Sequence, residues 1–201
     1  MKQKLSAMLA LQDAINRQVH PQWEQQGFTW YRAIWVECAE LLDHYGWKWW
    51  KHQDADIEQV KLELIDIWHF GLSILLTQGV SAEAIGESLQ GGLSKSAGDF
   101  RSDLEQFTQN TLTTKDFDIS GFARLMQGME LDFDELYSRY VGKNVLNRFR
   151  QDHGYQTGSY QKIWHGREDN EWLVELCETL DSDSGSFQQD LYSGLKGHYP
   201  D

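Results

Sequence analysis

Apolar residues recur three and four positions apart through most of this 201-residue chain, the spacing of amphipathic helices. Leu5, Met8, Leu9, Ala10, Ile15 and Val19 give one apolar face to a helix over 4–19, which His20-Pro21 ends. A second helix is predicted over 29–45, buried through Ile34, Leu41 and Leu42 and stopped by Gly46. Residues 47–56, "WKWWKHQDAD", read as a connector. Asp54 or Asp56 then caps a third helix, from Ile57 to about Gly79. Ser81 opens a short helix over 81–90, and 91–100 reads as a loop or a broken helix start. Further helices are predicted over 99–112, 118–132, 132–152 and 170–181, with a loop of aromatics, glycines and bases over 155–169. The stretch from about 181 to 201 reads as a loosely held tail. No strand and no internal repeat is evident. Only two prolines interrupt the chain, in keeping with an all-α helical bundle. The length suits a single domain over 1–201, with 80–130 as a smaller, mobile helical part.

Charge narrows the partners. A formal net charge of −13 argues against nonspecific binding to nucleic acid or an anionic membrane, since both need a basic surface. Such a charge ordinarily serves solubility. It also accommodates carboxylates held together by cations. Cys38 and Cys177 form no CxxC pattern, which points to a reduced, cytoplasmic protein. The start, "MKQKLSAMLALQDAIN", mimics a signal peptide, but Gln12 and Asp13 cut its apolar run short. No apolar stretch is long enough to span a bilayer.

Two pairs of acids change the picture. Glu37 and Glu40 are spaced i, i+3, and so share a face of the second helix. Glu63 and Asp66 repeat that spacing on the third. The connector allows the two helices to run antiparallel, so the pairs can face each other. Glu63 and Asp66 are interleaved with Leu62, Leu64, Ile65, Ile67 and Trp68. Carboxylates in so apolar a helix repel one another and lose solvation, and need a compensating cation. An all-carboxylate oxygen set suits Mg²⁺, with Mn²⁺ as a substitute, and two or more ions can be held. The competing reading is two ordinary charged helix faces. A di-iron bundle would need Glu-x-x-His on two helices; Asp66 and His69 give one such pattern, with Asp in place of Glu, and no second one matches it.

Downstream, Lys143, Asn147 and Arg150 share a helix face, followed by Tyr155, Tyr160 and Lys162 on a loop with Gly154 and Gly158. Cations and hydroxyls so arranged can hold a polyphosphate; a solvated basic face is the alternative. A tryptophan of "WKWWK" can lie on a base. Gln12 and Asn16, one helical turn apart, carry the amide donors and acceptors that read a base edge. The plainer alternatives are core or interface packing for at least two of Trp47, Trp49 and Trp50, and exposed helix for Gln12 and Asn16. Together these parts point to a nucleotide site.

The stretches "ECAELLDHYGWKWWK", "ELIDIWHF" and "GKNVLNRFRQDHGYQTGSYQK", with "EDN" shortly after, resemble the dimeric, all-α dUTPases. That family shares a superfamily with the MazG-type nucleoside triphosphate pyrophosphatases. The resemblance covers 11–70 and 143–170 and says little about 80–130. The ExxE…ExxD frame indicates only the superfamily; "WKWWK" and "KxxxNxxRxxxGYxxGxYxK" indicate the dUTPase branch. The resemblance implies an all-α pyrophosphatase fold with a four-carboxylate metal site on two antiparallel helices, and a homodimer. It implies Glu37, Glu40, Glu63 and Asp66 as Mg²⁺ ligands, with Glu37 favoured as the group that orients water or takes its proton. It places Trp49 beside uracil, Gln12 and Asn16 at the base edge, and His69 and Phe70 along the base and sugar pocket. It sets Asn147, with Asp66, near the sugar hydroxyl. Lys143, Arg150, Tyr155 and Lys162 become phosphate ligands. The implied reaction is hydrolysis of dUTP, and of dUDP, to dUMP, which limits uracil in DNA and supplies dUMP for dTMP synthesis. The rivals are a dCTPase or broader nucleoside triphosphate pyrophosphatase on the same frame, and an acidic helical interaction protein without catalysis.

Overall fold

The computed structural model describes residues 1–94 and 98–200. It divides into two compact units, Met1–Leu136 and Tyr137–Asp201. The first holds α1 (Lys2–Val19), α2 (Trp30–Tyr45), α3 (Ile57–Thr77), α4 (Ala82–Leu93), α5 (Phe100–Thr114) and α6 (Ile119–Gly128). Helix α7 (Phe133–Asp152) begins there and continues into the second unit. The second unit adds β1 (Ile163–Trp164), β2 (Arg167–Glu168), α8 (Asp169–Thr179) and α9 (Phe187–His198). The all-α class expected from the periodicity holds. No described helix is long and apolar enough to cross a membrane.

Helix α3 is the axis of the first unit. Nearly every side chain from Val60 to Leu75 is buried, so the helix is covered on all sides. It packs against both α1 and α2. Asp56 caps it by accepting from the Gln59 N–H at 3.2 Å, and so is the cap among the two candidates. The Asp56 N–H donates to the His44 carbonyl at 3.0 Å, which ties the end of α2 to the start of α3. The two helices therefore run antiparallel, as the carboxylate spacing required. Trp68 of α3 stacks on Phe122 of α6, with centroids 5.1 Å apart and planes at 19°, and Phe117 closes the cluster edge-on. Both Trp68 and Phe122 are fully buried.

Three expectations need correction. Gly91–Leu93 belong to α4 and not to a loop, because α4 packs closely on α6 there. A Cβ on Gly92 would lie 2.6 Å from Cβ of Ala123, so the glycine serves approach between helices and does not break one. The rest of that predicted loop includes 95–97, which lie outside the described residues. Residues 163–168 form a two-residue antiparallel ladder, Ile163 opposite Glu168 and Trp164 opposite Arg167, around a turn with positive φ at His165 and Gly166. Strands this short show no alternation to read. Lastly, the predicted tail contains α9, which buries Phe187, Leu191 and Leu195 and packs on α8.

Candidate functional site

In the first unit, Glu37 of α2 and Glu63 and Asp66 of α3 bring carboxylate oxygens within 4.8 Å of one another. Glu63 is buried, while Glu37 and Asp66 are half-buried. Burial drives the Glu37 carboxyl up to about 8, helped by a hydrogen bond to Glu63 and the charges of Asp66, Glu63 and Glu40. Antiparallel packing creates this: residues one turn apart on α3 meet one residue of α2 across the interface. Glu40 is the exception among the four predicted ligands. It is exposed and outside the three-residue group, though its charge still acts on Glu37. His44, which sequence reasoning did not single out, places Nε2 3.6 Å from Glu63 Oε1.

A second polar group joins α1 to α3. Gln12 and Asn16 are 4% and 6% exposed, so the plain exposed-helix alternative fails for both. Gln12 Nε2 donates to Asn16 Oδ1 at 3.0 Å and to Ser73 Oγ at 3.1 Å. Asn16 Nδ2 donates to Ser73 Oγ at 3.0 Å, and Gln12 Oε1 lies 2.8 Å from His69 Nδ1. Three predicted base-pocket residues, Gln12, Asn16 and His69, thus converge with Ser73. Ser73 was missed, and its signal is that it alone is polar within "GLSILL". Phe70 is half-buried and stacks on Trp30 at 6.1 Å and 28°.

The connector between α2 and α3 carries its three tryptophans outward. Trp47, Trp49 and Trp50 are all exposed, Trp49 at 91%. Core packing accounts for none of them. Their rings meet edge-on, Trp47 to Trp50 at 5.2 Å and Trp49 to Trp50 at 5.5 Å. Gln53 Oε1 accepts from the backbone N–H groups of Trp47 and Lys48 at 3.0 and 2.8 Å, and Arg101 donates to the Gly46 carbonyl. These bonds shape a cavity of about 630 Å³ lined by residues 46–53 and Arg101.

In the second unit, Arg150 donates from Nε and Nη2 to the two oxygens of Asp169 at 2.8 and 2.9 Å. Asp169 is fully buried and also accepts from the Tyr160 hydroxyl at 2.8 Å. Asn147 Oδ1 accepts from Arg150 Nη1 at 3.3 Å. Burial opposes charge on Arg150, yet the Asp169 carboxylate outweighs it and holds the guanidinium pKa above its usual value. Asp169 lies in the "EDN" stretch, where no local spacing marks its role. Of the other predicted phosphate ligands, Lys143 is buried, Tyr155 is exposed and Lys162 pairs with Glu168 at 3.0 Å.

A family model described as dUTPase matches residues 4–155. The chain belongs to the dUTPase family. Among curated proteins, none matches it. The match takes in all four predicted metal ligands, the base-pocket residues and the connector, and extends through Tyr155. A dUTPase hydrolyses dUTP, and the chain is accordingly a dUTP diphosphatase. The family generally uses a divalent metal. The donor set fits one: three carboxyl groups with oxygens within 4.8 Å of one another, one of them buried, gain most from a hard cation.

Proposed function

We propose that this dUTPase is Mg²⁺-dependent, Mn²⁺ substituting, and that it converts both dUTP and dUDP to dUMP. The observation that carries the proposal is the convergence of Glu37, Glu63 and Asp66. These three would hold two or more ions together with Glu40, which would have to turn toward them from its exposed position. When bound, the metal supplies positive charge against phosphate oxygens and makes water more acidic. Glu37, in its ionised form, orients the attacking water and takes its proton. The water oxygen bonds to phosphorus, and pyrophosphate leaves from dUTP or phosphate from dUDP.

Gln12 and Asn16 read the uracil edge, with Trp49 against the ring and His69 and Phe70 along the pocket. Asn147 lies at the sugar. Lys143, Arg150, Tyr155 and Lys162 hold the phosphates and offset the charge that builds on the leaving chain. The working form is a cytoplasmic homodimer of single-domain subunits, which binds neither nucleic acid nor membrane. Its role is to limit uracil in DNA and supply dUMP for dTMP synthesis.

A thermal melt with Mg²⁺ and a nonhydrolysable dUTP analogue tests the metal dependence of binding. At about 100 times its dissociation constant, the analogue should stabilise the protein by roughly 2.7 kcal/mol, and by much less in EDTA. Equal stabilisation with and without the ion would count against the carboxylate assignment.

A further inference from the structure

Ser73 sits at the centre of the α1–α3 polar group and is fully buried. Its hydroxyl donates to the His69 carbonyl, one turn earlier on α3, at 3.1 Å. A backbone carbonyl can only accept, so the direction of that bond is settled. With its single proton committed, Ser73 Oγ can only accept from other groups. Two side chains reach it, Gln12 at 3.1 Å and Asn16 at 3.0 Å. An amide side chain has a donating and an accepting end of nearly equal shape, and its partners alone decide which way it faces. Ser73 therefore draws the NH₂ end of both amides toward itself. The bond from Gln12 Nε2 to Asn16 Oδ1 agrees with that setting. Gln12 Oε1 is then the atom facing His69 Nδ1, which must carry the ring proton to donate at 2.8 Å.

We propose that Ser73 is a positioning residue that determines specificity for uracil over cytosine, by fixing the donor and acceptor ends of Gln12 and Asn16. It rests on the reading that these two amides face the base. Uracil offers an N3–H donor beside the O4 acceptor. Cytosine offers an N3 acceptor beside an N4 amino donor, the same outline with opposite polarity. An amide that can flip serves either edge; one held by Ser73 serves one. Gln12 and Asn16 remain the groups that touch the base, and Ser73 acts through them.

The test compares kcat/KM for dUTP and dCTP, with Mg²⁺, in the full chain and in Ser73→Ala, Ser73→Thr, Gln12→Ala and Asn16→Ala. In Ser73→Ala the dUTP/dCTP ratio should fall about tenfold or more, with dCTP turnover rising in absolute terms. Ser73→Thr keeps a hydroxyl able to bond the carbonyl one turn back, and should hold the ratio. Parallel losses for both nucleotides in Ser73→Ala would overturn the proposal and leave Ser73 a structural role. A ratio that moves in Gln12→Ala or Asn16→Ala, but not in Ser73→Ala, sinks the Ser73 assignment alone. A ratio unmoved in all three alanine variants sinks the base-edge reading with it. The ¹⁵N shifts of the His69 ring in the unmutated protein give a readout that needs no variant to fold. Protonation at Nδ1 is expected, and a neutral ring protonated at Nε2 alone would contradict the chain of orientation.

Discussion

Glu37 and Glu63, on different helices, share a hydrogen bond between their carboxyl groups. Carboxyl groups held this close with no cation between them raise each other's proton affinity. The Glu37 carboxyl is pushed up to about 8, first by burial, then by the bond to Glu63 and the charges around it. The pH dependence follows. Folded Glu37 binds its proton more tightly than the unfolded chain, whose carboxyl titrates near 4.5. Its stabilisation is complete below 4.5 and is lost as pH rises to about 8. In EDTA, the melting temperature of the protein relative to Glu37→Gln should fall between pH 5 and pH 8.5. Parallel profiles for the two proteins would contradict this. Mg²⁺ favours the ionised carboxyl, so its stabilising effect should grow across the same range.

The four predicted ligands should not respond alike. Glu63→Gln and Asp66→Asn each remove a member of the converged group, and should lower Mg²⁺-dependent turnover by about 100-fold or more. Glu40→Gln should cost activity only if that side chain turns inward when the ion binds. Full activity in Glu40→Gln would remove Glu40 from the ligand set and leave the other three. Steady-state rates across a Mg²⁺ titration separate weaker metal binding from slower chemistry.

Asp169 anchors the second unit. Its carboxylate receives both Arg150 bonds and the Tyr160 hydroxyl in a fully buried position. Removing one partner of a buried pair strands the other charge. Asp169→Ala should therefore cost about 3–5 kcal/mol in urea denaturation. A loss under 1 kcal/mol would mean that the pair is relieved by solvent.

Gly92 sets the approach of α4 to α6. A methyl there would meet Cβ of Ala123 at 2.6 Å and the Ser120 carbonyl at 2.9 Å. Gly92→Ala should destabilise by about 1–3 kcal/mol, despite the better helix propensity of alanine, because the helices must part. A gain in melting temperature would contradict the packing.

Those positions also show where sequence pattern is informative. The convergence of Glu37, Glu63 and Asp66 was legible because two acid pairs recur on adjacent helices within apolar runs, whereas Glu40, which shares that spacing, lies exposed outside the group. Gly91 and Gly92 read as breakers because a glycine that lets helices approach looks like one that ends a helix. The same ambiguity hid α9. Its Phe187, Leu191 and Leu195 recur every four residues, but Gly194 and Gly197 obscured them. Gly194 lies against Leu176, where a Cβ would come within 2.6 Å of the side chain. Ser73 and Asp169 escaped for another reason. Each acts through partners far away in the chain or on another element, and no local spacing records such a bond. Trp49, the ring expected beside the base, is 91% exposed and meets Trp50 edge-on, so the core makes no use of it.

The most direct test of the account is pyrophosphate release from dUTP, dCTP, dTTP and UTP, each with Mg²⁺ and with EDTA. The carboxylate site predicts turnover of dUTP that chelation abolishes, the base pocket predicts that dCTP and dTTP are left nearly untouched, and the proposed sugar contact of Asn147 predicts the same for UTP. Turnover of dUTP undiminished in EDTA would contradict the metal site, and equal turnover of all four would contradict the base network.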